Sequence, residues 1–374
     1  MRLALALAAA FTISAAQAAE PIKIGITTVL SGPTADRGQS EQYGAQRAID
    51  EINAQGGVLG RRLEAYYADN ACKLDIGIAG TKRLIEQVKA PVLIGALCTP
   101  VTRAILPVVA EAKVPLIIAT SAGHEFVDPA GVGGNDFMFK TIPSDVDIAR
   151  GQVKYLAAQH VKSIAMITDD GGFQKANAEA LADAAKAAGI TITTQENLPA
   201  SGIDFAALIQ KVQEGHPDAV MLNLGGSTAG FFKAYEAAGG KFTVSGRIDL
   251  GGAAVAVSPT FRDVGGLANV TSIAVFSTAF DKPKVQDFIK SYRDHTGLTP
   301  TQRSFFVYEA VYLAADAISR AGADTPAAIQ KALKTSKMES RLGGTYAPDD
   351  HNHSHTPLFI LGLKDGKPAV IATE

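Results

Sequence analysis

The 374-residue chain has no tryptophan, only two cysteines, and an aromatic content of 7%. Its 35 basic residues nearly balance 37 acidic ones, and no basic block stands out. A near-neutral, aromatic-poor chain of this kind leaves no electrostatic footprint for nucleic acid or an anionic lipid surface. Past the N-terminal segment, no stretch approaches the roughly 20 apolar residues that a membrane-spanning helix needs. Catalytic signatures are missing as well. GGSTAG at 225–230 does not satisfy G-x-S-x-G, GVGGND at 131–136 lacks the third glycine of a dinucleotide fingerprint, and GGKF at 239–242 has no P-loop spacing. Each reads as a loop, and nothing in the chain asks for a cofactor.

What is present begins with MRLALALAAAFTISAAQAAEP. One early charge, an apolar run over 3–13 and the small-x-small triplet Ala16-Gln17-Ala18 form a secretory signal peptide over residues 1–18. No cysteine sits at the cleavage point to carry a lipid, so a freely soluble exported protein is expected, in the periplasm. The remainder is long enough for two domains. Export also changes the meaning of Cys72 and Cys98, because an oxidising compartment favours pairing them, and a paired Cys98 cannot attack anything.

Short apolar runs alternate with amphipathic ones. Strand patterns at 22–29, 63–68, 91–96 and 115–119 are separated by helical patterns through 45–52, over 76–88 and over 101–112. The alternation restarts after Thr141-Ile142-Pro143-Ser144, with strands at 163–168, 190–194 and 219–224 among helices at 145–159, 173–188, 204–213 and 228–238. A strand pattern at 271–277 then precedes two helical stretches, 284–294 and 303–320, and the tail forms a hairpin of 358–363 and 369–371 turning at Asp365-Gly366. Repeated βαβ units predict two doubly wound parallel-sheet lobes with a cleft between them.

Two groups of residues remain as candidate chemistry. His351, His353 and His355 fall within five residues and could offer nitrogens to zinc or copper, yet no carboxylate or cysteine pattern completes a site, and the stretch reads rather as a polar surface loop. The other four histidines are scattered. No metal is therefore expected. The second group lies at the carboxyl ends of predicted strands, where open α/β sheets bind ligands. Thr99 and Thr102 open a helix with Pro100 at its first position, while Thr120-Ser121-Ala122-Gly123 follows the next strand. Backbone N–H groups at a helix N-terminus and nearby hydroxyls suit an anion; the alternative is that Thr99 merely caps the helix.

Several segments together resemble the periplasmic leucine/isoleucine/valine-binding proteins, the solute receptors of branched-chain amino acid ABC importers. They are Leu30-Ser31-Gly32-Pro33, the run 44–60 (GAQRAIDEINAQGGVLG), Asp69-Asn70-Ala71-Cys72, Leu97-Cys98-Thr99 and Val114-Pro115-Leu116-Ile117, and the resemblance spans the chain after the leader. It implies a type I periplasmic binding fold, two lobes joined by three hinge crossings, with residues 20–142 and 277–342 in the first lobe and 143–276 and 343–374 in the second. It also implies a Cys72–Cys98 disulfide, a carboxylate held by Thr99, Thr120, Ser121 and Ala122, and Phe173 where the family has a ligand-facing tyrosine. Ser227 would line the second lobe, and Asp249 would substitute for the acidic residue that meets the ligand ammonium.

Arg37 stands where relatives often carry an aromatic, as either a solvated loop residue or a ligand contact. The function so implied is capture of a branched-chain or other aliphatic amino acid by a monomer that closes around it and delivers it to an inner-membrane permease, without catalysis. An organic or aromatic acid receptor, a ligand-sensing module and an exported enzyme in the same cleft are the rivals.

Overall fold

The structure, a computed structural model, describes residues 19–170, 172–199, 201–252 and 255–374, without the side chains of 172, 173 and 176. The signal segment 1–18 lies outside the described residues, as does the side chain of Phe173.

The first half winds β1 (Ile22–Thr28), α1 (Ala35–Ala54), β2 (Leu63–Asp69), α2 (Leu74–Glu86), β3 (Val92–Gly95), α3 (Thr99–Ala112), β4 (Leu116–Ile118) and β5 (Met138–Lys140). Its five strands lie in the order β2-β1-β3-β4-β5, every pair parallel. All four residues of β3 are buried, as expected for a strand covered by helices on both faces.

The second half adds α4 (Asp145–Ala158), β6 (Ser163–Asp169), α5 (Gly172–Ala187), β7 (Thr191–Leu198), α6 (Phe205–Glu214), β8 (Ala219–Asn223), α7 (Thr228–Ala237), β9 (Thr243–Gly246), α8 (Pro259–Asp263) and β10 (Val270–Ala274). Then come α9 (Pro283–Thr296), α10 (Gln302–Ala321), α11 (Pro326–Lys334), the short pair β11 (Met338–Glu339) and β12 (Thr345–Tyr346), and the closing hairpin β13 (Phe359–Lys364) and β14 (Lys367–Thr373). The larger sheet runs β14-β13-β10-β9-β8-β6-β7, parallel except for the hairpin strands. Its edge strand β7 alternates exposed and half-buried residues along most of its length, whereas the inner strand β8 is buried throughout.

The chain passes between the two sheets three times: at 141–144, ahead of α4; at 275–282, between β10 and α9; and at 335–358, after α11. Local chemistry sets the first passage, because Ser144 and Asp147 form a reciprocal capping box that starts α4. Helices α9 and α10 return to the first half and pack on α1. That contact is tight at Gly44, where an added Cβ would lie 2.1 Å from the Ser304 carbonyl oxygen. It is also polar at one point: the Glu51 carboxylate accepts from Arg47 and Tyr312 at 2.8 Å and from Ser291 at 2.9 Å, tying three helices together. Phe276 stacks on Phe305, and Phe288 meets both edge-on, part of the aromatic core of a chain without tryptophan.

At the candidate-site residues the structure departs from the sequence reading in three places. Helix α1 reaches back to Ala35, so Arg37 lies in its first turn rather than in a loop. Cys98, not Thr99, is the N-cap of α3, and no side chain caps that helix. The 351–355 stretch is not a free surface loop: Asn352, His353 and Ser354 are buried, because bridges from His353 to Lys140 and from Ser354 to Pro348 lay it beside β5.

Candidate ligand-binding cleft

Parallel strands deliver their carboxyl ends to one edge of each sheet, and the loops there form the site. The turn between β3 and α3 is pinned by the Cys72–Cys98 disulfide, with Cα atoms 5.7 Å apart. Cys98 is therefore a structural staple, not a nucleophile. One residue on, the Thr99 hydroxyl, released from any capping duty, lies 3.1 Å from the Ser121 hydroxyl. Thr102 turns inward instead and donates to Ala96 O at 2.9 Å and to Cys98 O at 3.2 Å, shaping the turn from beneath.

The loop carrying Thr120, Ser121 and Ala122 is held from below by a buried ammonium. Lys140 Nζ donates to Ser121 O at 3.0 Å and Ile142 O at 2.9 Å, and burial pushes its pKa down to about 7 against the pull of Asp145 and Asp147. Ala122 is buried, and its carbonyl accepts from the Asp145 amide at 3.0 Å, coupling this loop to the start of α4. Asp145 in turn accepts from Arg247 at 3.3 Å, which brings the end of β9 to the same place.

On the other side of that loop sits Glu41, 1% exposed. Burial pushes its pKa up to about 7, while a hydrogen bond from Thr28, the nearby Thr120 hydroxyl and the charge of Arg303 pull it back. Thr120 Oγ1 and Glu41 Oε1 are both buried and neither has a partner in hydrogen-bond geometry, so proximity rather than a formed bond links them. Arg303, in the first turn of α10, has its charged form disfavoured by burial and by the charges of Arg37 and Arg247, with Glu41 and Asp36 opposing.

A cavity of about 720 Å³ opens between the halves, lined by 247–252, 272–279 and 299–303 together with Leu361 and Pro368. Its size suits a small-molecule ligand. The structure thus places the expected residues in two groups. Thr99 and Ser121 meet, with Thr120 and Ala122 on the same loop; Asp249 lines the cavity with Arg247 and Arg303. The cavity lining does not include the hydroxyl group of residues, and the Ala122–Asp145–Arg247 relay is what connects the two. Arg37 is exposed and joins through its charge on Arg303. Asp249 is exposed too, and its Oδ1 accepts from the Gly251 amide of its own turn at 3.3 Å. Ser227, the residue before α7, keeps a buried hydroxyl without a partner among the described residues.

Sequence reading missed Glu41, Asp145, Arg247 and Arg303. No local pattern marked them: even Arg247 follows a strand, Thr243–Gly246, with a single apolar side chain.

The histidine cluster gains a carboxylate that the sequence did not reveal. Ligand atoms of Asp147, His353 and His355 lie within 4.8 Å of one another. All three are already engaged, however. Asp147 Oδ2 accepts from the Ser144 amide at 3.0 Å and hydroxyl at 2.6 Å, His353 Nε2 is 3.2 Å from Ile142 O, and His355 Nε2 is 3.0 Å from Asp349. Burial lowers the His353 pKa to about 4, so its ring is neutral and serves the 141–144 passage.

Comparison with known proteins agrees with this geometry. A family model described as periplasmic binding protein matches residues 21–367. Leu/Ile/Val-binding protein homolog 3 of Brucella melitensis is 26% identical, with 98% of each chain covered. The leucine-, isoleucine-, valine-, threonine-, and alanine-binding protein of Pseudomonas aeruginosa is also 26% identical, over 91% of this chain and 90% of that one. Among solved structures, the branched-chain amino acid transporter substrate binding protein LivJ from Streptococcus pneumoniae, in complex with isoleucine, superimposes with a TM-score of 0.76 at 25% identity, covering 95% of this chain and 99% of its own. An ABC transporter substrate-binding protein from Sphaerobacter thermophilus reaches 0.82 at 20% identity, over 95% and 98%, a likeness of fold. Two doubly wound halves, a hydroxyl pair at the carboxyl edge and a family match across nearly the whole described chain lead to one assignment: the chain belongs to the periplasmic binding protein family.

Proposed function

We propose that this protein is the periplasmic receptor of an ABC importer, capturing a small carboxylate-bearing solute and presenting it to an inner-membrane permease. The observation that carries the reading is the Thr99–Ser121 hydroxyl pair beside the N-terminus of α3, where free amides and the helix dipole favour an anion. Thr120 and Ala122 belong to the same loop as Ser121, Asp249 lines the neighbouring cavity, and Arg37, Ser227 and, by the family resemblance, Phe173 complete the proposed contact set.

The ligand class nearest to the relatives is a branched-chain or other aliphatic amino acid; an organic acid is the second reading, favoured by the arginines at the cavity. The protein acts as a monomer after removal of residues 1–18. Its two bodies are 20–142 with 277–342 and 143–276 with 343–374. Ligand contacts from both sides shift the balance from open to closed.

A thermal-shift screen against amino acids and mono- and dicarboxylic acids tests the reading. A ligand at 100 times its dissociation constant adds roughly 2.7 kcal/mol, enough to move the midpoint visibly. Thr99→Val should reduce the shift caused by any hit. A screen in which no carboxylate stabilises the protein would overturn the proposal.

A further inference from the structure

Two of the three titratable groups lining the cavity are cations, Arg247 and Arg303; the third, Asp249, is exposed and turned to its own loop. Among the described residues the Arg303 guanidinium has no hydrogen bond and no ion pair. Half-buried on the cavity wall, the guanidinium keeps its N–H donors available to an acceptor that enters the cavity. Arg303 also feels two like charges, Arg37 from α1 and Arg247 from the end of β9. The first two arginines belong to elements packed on the five-stranded sheet and the third to the seven-stranded sheet, so their charges face one another across the cleft.

We propose that the solute of this cleft carries two acidic groups: one carboxylate held at Thr99 and Ser121, and a second received by Arg303 with Arg37 and Arg247. The proposal rests on the reading of the cleft given above and narrows its ligand to acidic amino acids and dicarboxylic acids.

The arrangement matches the chemistry of such a ligand. A guanidinium presents a planar fork to a carboxylate and can bind it through two parallel hydrogen bonds. The internal acids are poor substitutes. Asp145 is already paired with Arg247. Glu41 is held back by its own burial, and with a pKa of about 7 it is only partly ionised at neutral pH. Like charges on facing elements oppose approach of the two halves, and an anion between them reverses that sign. The second carboxylate is therefore both a specificity element and a closure trigger.

The test is calorimetric titration of the full mature protein with leucine, glutamate, 2-aminoadipate, glutarate, 2-oxoglutarate and terephthalate. At least one diacid should bind ten-fold or more tightly than leucine, with an affinity that falls as ionic strength rises. Arg303→Gln should weaken that diacid by ten- to a hundred-fold and leave leucine within two-fold. Because Arg303 is half-buried, Arg37→Gln, at an exposed position, serves as the second variant and should produce a smaller loss with the same selectivity. Leucine binding more tightly than every diacid, no diacid binding at all, or unchanged diacid affinity in both variants would each overturn the proposal. Thr99→Val separates this from the underlying reading, since it should weaken mono- and diacids alike. If Thr99→Val leaves both unchanged while Arg303→Gln weakens the diacid, the hydroxyl cradle is wrong and the arginine site stands.

Discussion

Glu41 is a buried carboxylate whose titration has a stability consequence. Its folded pKa is raised to about 7 from an ordinary 4.5 because burial penalises the carboxylate more than Thr28 and Arg303 repay it. Native protein therefore binds more protons than unfolded protein between those values, and the stability contributed by this group is full below pH 4.5 and lost as pH rises through 7. The expected loss is on the order of 3 kcal/mol. Glu41→Gln, which keeps an oxygen to accept from Thr28, should not show that loss. Denaturant titrations of both proteins from pH 4 to 8 check it: the stability gap should move in favour of the variant across the window, and a constant gap would show that Glu41 does not titrate there. His353 teaches a related lesson in the opposite direction. A residue read as part of a polar loop is buried at 1% exposure and kept neutral, so its type alone was a poor guide to its surroundings.

At the level of elements, the packing of α1 on α10 decides how the returning chain docks. Gly44 lets the helices approach until backbone meets backbone, and no larger residue fits without a shift. Gly44→Ala gains about 1 kcal/mol of helix propensity but drives a methyl group into the Ser304 carbonyl. Overpacking of this kind typically costs about 1–3 kcal/mol, so we expect net destabilisation, read as a lower denaturation midpoint. A variant as stable as the parent would show that α10 slides freely on α1. Elements with a strong local pattern were legible: the amphipathic spacing in α1 and the apolar runs of β1, β3 and β4 announce themselves. β5 and β9 were not, since MFK and TVSG lack the unbroken apolar run of the equally short β3 and β4 and are stabilised by their parallel neighbours. Helix α11 was missed although its apolar face is well formed, because it follows so closely on α10.

For the molecule as a whole, three passages between two sheets make a hinge, and bending it is the expected response to ligand. Small-angle scattering of the mature protein should show a smaller radius of gyration with the best ligand from the screen than without it. A superimposable pair of profiles at saturation would refute large closure. Joining the halves is not left to the backbone alone. Ala122 O accepts from the amide of Asp145, and Asp145 holds Arg247, so a movement of either half is felt at the loop beside the hydroxyl pair.

Sequence alone was sufficient for the alternating α/β plan, the pairing of the only two cysteines and the hydroxyls at the carboxyl edge, because each depends on neighbours a few residues apart or on composition. The electrostatics of the cleft depended on tertiary structure. Glu41, Asp145, Arg247 and Arg303 are scattered over four elements, and only the winding of two sheets and the return of α10 bring them within reach of one another. Nothing in the local pattern around Arg303 distinguishes a cation facing a cavity from one facing water. That distinction is a property of what packs around it, and packing across a hinge is the part of a fold that local sequence encodes least.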